Sequence, residues 1–518
     1  MLELVCMTEK IDPEKMQKEF MEALKRLAAE ERPSRMPETD KGQDESEEKR
    51  RQKRETVLRF DLKPKDVKKY LDRYVIRQEE AKRVLSIAVC DHYNHIRMCA
   101  RDKNCKNYTK QNVVMLGPTG VGKTYLIRCL ADLIGVPFVK ADATKFSETG
   151  YVGGDVEDLV RDLVYKADGD IALAQYGMIY LDEIDKIAAG LNMQNRDVSG
   201  TGVQRGLLKI MEETEVSLRN PQDIQSQFQA ILEFQQKGTL TKPVINTRHI
   251  LFIVSGVFDQ LPALIERRLK SSHVGFSAVP LRETDTADLL RKVQTEDFVK
   301  YGLEPEFIGR LPVRTVCDPL SEEDLYLILK GSEESILKQY TASFESYGIK
   351  IHYEDQSLWE MAKLASAEKT GARGLLTICE RIFRGLKYEL PSSSVKEFTL
   401  TAQMVTDPQK ALEVLVEQDR QQQRVEIIDA IRRFEENFFT KSGIRIEFDQ
   451  AGLGAVVSKV LDEGHFVNEF LERLLSNYVY GLGLIQKKSP HEKFILTDEV
   501  VKGPNTVLDQ WIKETYEA

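Results

Sequence analysis

The stretch GPTGVGKT, Gly117 to Thr124, constrains this chain more than any other. It fills the pattern GxxxxGK[ST], follows the apolar run NVVML and opens a helix-period segment at Lys123. A strand–loop–helix passage of this kind is where that pattern cradles phosphate. Gly117, Gly120 and Gly122, with Pro118, Thr119 and Val121 between them, let the backbone turn so that successive N–H groups face the phosphates. The helix N-terminus adds its positive dipole end. Lys123 is suited to neutralise β- and γ-phosphate charge, and the Thr124 hydroxyl to ligate Mg²⁺. Tyr125, next on the helix, joins the candidate nucleotide contacts.

A second passage, GMIYLDEIDK, supplies carboxylates. Met178 to Leu181 form an apolar strand that ends in Asp182 and Glu183, at the strand edge where open α/β sheets bind ligands. Asp182 suits Mg²⁺ coordination, directly or through water, and Glu183 suits polarisation of an attacking water. An acidic strand end is commonplace alone; beside a phosphate loop it points to hydrolysis of a nucleoside triphosphate. Lys123, Asp182 and Glu183 are the candidate catalytic residues on this reading, with Thr124 and Asp182 as metal ligands.

Strand and helix patterns alternate from Val57 onward: NVVML, a helix from Lys123, PFVKADA, a helix after Gly154, GMIYLD, a helix near Gln204, then HILFIVSG. Such alternation predicts an α/β domain with a parallel sheet between helices, over residues 57–318. A smaller, mainly helical α+β domain is expected over 319–410. At 518 residues the chain has room for three or four units. Residues 1–56 read as a helix followed by a charged, Pro-punctuated linker, ERPSRMPETDKGQDESEEKRRQKRE, expected to be disordered; a docking tail is the alternative. Residues 411–518 read as a degenerate second copy of the small domain. GIKIHYEDQSL at Gly348 resembles GIRIEFDQAGL at Gly443, an offset of 95, and EFTLTAQMV resembles KFILTDEVV further on.

The net charge of -9 carries no basic bias, so nucleic acid is not an expected partner. Seven cysteines without a CxxC pair argue against a zinc site and for a reducing, cytoplasmic setting. No apolar run approaches the ~18 residues of a membrane span, and the first residues lack a secretory pattern.

Several ordered motifs between about Lys63 and Pro408 resemble the ClpX/HslU branch of AAA+ protein unfoldases, and ClpX most of all. KPKDVKKYLDRYVIRQEEAKRVLSIAV is similar to the opening segment of that family, whose apolar pair, here Val75 and Ile76, flanks the adenine. ATKFSETGYVGGDVED contains its pore loop as Gly150, Tyr151, Val152 and Gly153. RDVSGTGVQRGLLKIME resembles the stretch with a second pore-facing loop, around Arg196 to Gly200. HILFIVSGVF looks like the sensor-1 strand, with Ser255 as the polar sensor. EPEFIGRLP has Arg310 in the arginine-finger position, and KTGARGL has Arg373 as the sensor-2 arginine. The resemblance implies an AAA+ P-loop NTPase that binds ATP and Mg²⁺ at the junctions of a homo-oligomeric, hexameric ring. It further implies a Tyr151 that grips a polypeptide in the central pore, and an Arg310 that reaches a neighbour's γ-phosphate.

The chain departs from the family in several places. The four-cysteine zinc domain that usually precedes the motor in ClpX is not present. Arg77 stands where the family commonly has glycine, so a positive φ there would strain the turn beside the adenine. Residues 219–241 replace a basic loop with a Gln-rich insertion that either recognises substrates or decorates the ring. Asn468 aligns with Arg373, so the second copy lacks a sensor arginine. Val274, Gly275 and Phe276 lie where ClpX has the loop that docks on a ClpP-type peptidase. The expected function is therefore an ATP-dependent unfoldase feeding such a peptidase. A stand-alone remodeller and a nucleotide-controlled scaffold are the alternatives.

Overall fold

The computed structural model describes residues 41–101, 109–146, 154–189, 198–218, 243–271, 286–333, 335–463, 466–489 and 492–517. The chain divides into Met1–Arg59 and Phe60–Ala518. In the first unit the charged run expected to be a disordered linker is helical over Lys41–Leu58. Charged partners one turn apart, such as Arg51 and Glu55 at 3.2 Å, support a helix with almost no apolar face.

In the second unit the alternating pattern folds as expected. Strands β1 (Val113–Leu116), β2 (Phe138–Asp142) and β3 (Met178–Asp182) belong to one five-stranded sheet with β6 (Leu251–Gly256) and β7 (Val313–Val316). The order is β2-β3-β6-β1-β7 and every pairing is parallel. β1 and β6 are buried along their whole length, and only Asp182 of β3 is partly exposed. Continuous apolar strands of this kind fit a sheet covered on both faces. The register aligns the strand ends: Leu116 lies opposite both Gly256 and Val316, and Asp142 opposite Asp182. The carboxyl ends of all five parallel strands therefore lie along one edge, where Asp142 and Asp182 end β2 and β3. A short antiparallel pair, β4 (Glu215–Ser217) and β5 (Val244–Asn246), brackets residues 219–242.

Beyond β7, β8 (Lys350–Tyr353) and β9 (Glu397–Leu400) pair in parallel within a helical cluster. β10 (Ile446–Phe448) and β11 (Phe494–Leu496) pair in parallel within another. Each pair encloses helices: Asp355–Ala367 and Ala372–Glu389 in the first, Gln450–Glu463, Val467–Leu474 and Tyr478–Lys488 in the second. Each second strand then leads to a five-residue helix and to a longer helix that begins with proline, Pro408 or Pro504. Ala411, Leu412, Leu415 and Val416 pack into the first cluster, while Val507, Leu508, Trp511 and Ile512 pack into the second. The helix Pro408–Ser442 runs unbroken through residue 410, and its later turns supply Ile427, Ile431 and Phe438 to the second cluster. One helix is thus core to both, roughly 50 Å long at 1.5 Å per residue. No helix among the described residues is long and apolar enough to cross a membrane.

Leu412 is buried in the first cluster, while Val414 on the same helix is half exposed. Leu412→Ala is expected to lower stability by about 2–4 kcal/mol, read as a drop in denaturant midpoint. Val414→Ala should stay within about 0.5 kcal/mol of the parent. Equal effects would contradict the role given to this helix.

Candidate nucleotide site

The carboxyl edge of the sheet opens into a cavity of about 690 Å³. Thr119, Gly120, Gly122, Lys123, Thr124 and Tyr125 line it from the phosphate loop, Asp182 and Glu183 from the end of β3, and Arg373 from the small domain. The loop has the backbone that the motif requires. Gly117, Gly120 and Gly122 all have positive φ, at 143°, 72° and 94°. A Cβ on Gly117 would overlap the carbonyl oxygen of Cys317, and one on Gly120 that of Thr370. Pro118 and Val121 lie on the loop outside the cavity wall; Val121 is buried.

Lys123 is buried, and its Nζ donates to the carbonyls of Gly117 at 2.5 Å and Pro118 at 3.1 Å. Burial, with Arg373 nearby, pushes its pKa below the usual lysine value, although carboxylates at Asp182 and Asp185 oppose this. A lysine so placed gains most from an anionic ligand that restores a counter-charge in a desolvated setting.

Asp182 is held by a short polar chain. Ser255 Oγ donates to Asp182 Oδ1 at 2.6 Å and lies 2.6 Å from the Tyr180 hydroxyl. Thr124 Oγ1 lies 3.4 Å from both Asp182 Oδ2 and Tyr180. Ser255 is fully buried, so it contacts Asp182 from behind and does not line the cavity. Burial and the Asp182 charge push the Tyr180 hydroxyl far above its usual pKa, which keeps it a neutral donor. Glu183 has φ 58° and ψ 34°, left-handed for a residue with a side chain. That turn breaks the strand direction and leaves Glu183 exposed at the cavity. A conformation of this kind costs of order 1 kcal/mol or more and is concentrated at functional sites.

Asp185, two residues on, was not singled out from sequence. It lines the same cavity and is nearly buried. Its Oδ1 accepts the Val257 N–H at 3.3 Å; its Oδ2 has no hydrogen-bond partner, with Lys186 Nζ at 3.6 Å. The second aspartate of DEID was the visible signal. A hydroxyl, a carboxylate and a further buried carboxylate oxygen form a hard oxygen donor set, which fits Mg²⁺ shared with substrate phosphates.

The small domain reaches the loop directly. Ala372 N–H donates to the Gly120 carbonyl at 2.8 Å, just where the helix Ala372–Glu389 begins with Arg373. On the other side, Val75 is buried and lies against Gly122, and Ile76 is partly buried beside it. Arg77 does take a positive φ, 58°, as does Gln78 at 59°. Arg77 Nη1 pairs with Asp324 Oδ2 at 2.9 Å, on the first helix of the small domain. Gln78, also missed in the sequence, is buried: its Nε2 donates to the Asp318 and Val121 carbonyls at 2.8 and 3.3 Å, and its Oε1 accepts from Asp318 N–H.

Arg310 stands apart from these residues. It pairs with Glu212 at a second cavity, of about 660 Å³, where Arg248 adds positive charge and burial pushes the pKa of the Lys110 ammonium down to about 7. Asn468 lines neither cavity; it faces a separate cleft with Phe434, Phe438 and Val479. Gly150, Tyr151, Val152 and Gly153, Arg196, the 219–241 insertion, and Val274, Gly275 and Phe276 lie outside the described residues.

Comparison with known proteins decides the family. A family model described as AAA domain (Cdc48 subfamily) matches residues 109–314. The ATP-dependent Clp protease ATP-binding subunit ClpX of Borrelia duttonii is 41% identical over 350 residues, 66% of this chain and 78% of that one. The chain belongs to the ClpX family. Its Borrelia recurrentis counterpart gives the same figures, and that of Treponema denticola is 40% identical over 347 residues, 66% of this chain and 81% of its own. Membership makes this chain a nucleotide-binding AAA+ ATPase.

Glu183→Gln is expected to keep nucleotide affinity while turnover falls about 100-fold or more. Equilibrium binding of a fluorescent ATP analogue and phosphate release check the two halves. Normal turnover would remove Glu183 from its assigned role.

Proposed function

We propose that this chain is an ATP-driven protein unfoldase and translocase, acting as a hexameric ring of identical subunits and as the regulatory ATPase of a ClpP-type peptidase. The observation that carries this reading is the hydrogen bond from Ala372 to the Gly120 carbonyl. It couples the phosphate loop to the helix that presents Arg373, so that a change in phosphate charge is felt by a separately packed domain. A scaffold that merely binds ATP has no use for such a linkage. The names of the relatives, ATP-binding subunits of a Clp protease, support the peptidase.

On this reading Lys123 and the loop N–H groups bind the phosphates, and Glu183 takes the proton of the attacking water. Arg373 senses the terminal phosphate. Arg310 is the cation supplied to a neighbouring subunit, which agrees with its distance from the chain's own cavity residues. Mg²⁺, held by Thr124 and Asp182, would neutralise charge that develops on the transferred phosphoryl group. Tyr151 and Val152 move a polypeptide segment, and Val274, Gly275 and Phe276 anchor the peptidase. Residues 411–518 are a second copy of the small domain without the sensor arginine, and pack on the ring periphery or bind partners rather than hydrolysing ATP.

A tagged fluorescent protein, mixed with the ring, ATP and a ClpP-type peptidase, tests the reading. Fluorescence should be lost only with ATP. Tyr151→Ala should slow that loss by about tenfold while ATP is still consumed, since an aromatic grip contributes contact rather than chemistry. Phe276→Ala should stop degradation but spare unfolding. Unchanged unfolding in the Tyr151 variant would sink the translocation reading, and unchanged degradation in the Phe276 variant the docking.

A further inference from the structure

Gln204 is completely buried, and both ends of its amide are used. Nε2 donates to the Ile187 carbonyl at 2.9 Å and lies 3.4 Å from that of Gly302. Oε1 accepts the Glu304 N–H at 2.7 Å. These partners belong to two short segments with different destinations. Ile187 closes the single 3-10 turn Ile184–Ile187, whose preceding residue is Glu183. Glu304 is the N-cap of the helix Pro305–Gly309, whose C-cap is Arg310.

The segments also touch through backbone. Ala189 N–H donates to the Gly302 carbonyl at 2.9 Å, and Gly302, at φ 115°, has no room for a Cβ against the Ala189 oxygen. A Cβ on Gly200 would come within 2.7 Å of the Ile187 carbonyl, so the helix that carries Gln204 is seated equally tightly. The far end of the second segment is fixed as well: buried Asn112 donates from Nδ2 to the Arg310 carbonyl at 3.0 Å.

We propose that Gln204 is a positioning residue for ATP hydrolysis, holding Glu183 of the chain's own site and Arg310 of the neighbour-facing site in one register. The proposal rests on the reading of Arg310 as the cation supplied in trans. A glutamine suits the position because one group must donate and the other accept across a fixed separation, in a place where an unmade hydrogen bond is costly. With both bonds in place, a shift of the turn after Glu183 is passed to the helix that ends at Arg310.

Steady-state kinetics on assembled rings of the parent, Gln204→Met, Arg310→Ala and the double variant test this. Gln204→Met should lower kcat by about tenfold to a hundredfold, the scale of a small misplacement at a reacting centre. KM for ATP should stay within about twofold, because no nucleotide contact is lost. Arg310→Ala should lower kcat, and the double variant should match it within about twofold. A double variant whose loss is the product of the two single losses overturns the proposal while leaving Arg310 in its role. A normal kcat in Arg310→Ala alone removes the trans reading, and with it the proposal.

If Gln204→Met does not assemble, Gln204→Glu decides. An ionised glutamate keeps the acceptor for Glu304 but cannot donate to Ile187; protonation restores the donor, and burial raises the pKa at which this happens. The ratio of its kcat to that of the parent should climb as pH falls toward about 6. A flat ratio contradicts the proposal.

Discussion

The phosphate loop is confined from two sides by backbone that approaches too closely for any side chain. Gly117 lies against the Cys317 carbonyl, which follows β7, and Gly120 against the Thr370 carbonyl, which precedes the small-domain helix. Ala372 N–H completes the second contact by donating to Gly120. Most other features of the site depend on this confinement. A loop fixed in this shape buries Lys123 and sets Thr124 beside Asp182; it also makes the angle between the two domains a property of the nucleotide site. A methyl group on either glycine would have to move backbone, not a flexible side chain.

Around that fixed loop the chain places charges in graded settings. Asp182 is held by Ser255, which lies against Tyr180, while Glu183 lies beyond it in a left-handed turn with its carboxyl exposed. Asp185 keeps one buried oxygen without a hydrogen bond. Arg77 shows a different compromise. Its left-handed φ is costly for a residue with a Cβ, and its guanidinium pairs with Asp324 on the small domain. Strain beside Val75 and Ile76 is thus coupled to an ion pair with the helix Glu322–Gly331.

Most of the parallel sheet was legible because its signal is redundant: β1, β3 and β6 are apolar runs separated by helical periods, whereas β7, VRTV with Arg314 inside it, offers no such run and went unread. The cavity residues of the phosphate loop and of β3 were legible for a related reason, since motif and strand edge coincide. Tyr180, Gln78 and Gln204 were not, because each acts through a tertiary partner far along the chain, at Ser255, Asp318 and Glu304 respectively. An isolated tyrosine or glutamine carries no local mark of such a partner. The helix Lys41–Leu58 was hidden by composition, as a polar run resembles a linker until its i,i+4 charges are paired. The helix Pro408–Ser442 has apolar residues that serve two clusters on different faces, so no single stripe announces it.

If Arg310 completes a neighbour's site, hydrolysis is a property of the assembly and not of the chain. ATP turnover per chain, measured across a dilution series together with sedimentation, tests that claim most directly. Turnover per chain should fall in step with the assembled fraction and approach zero for the monomer. A constant turnover per chain, maintained where sedimentation finds only monomer, would contradict it.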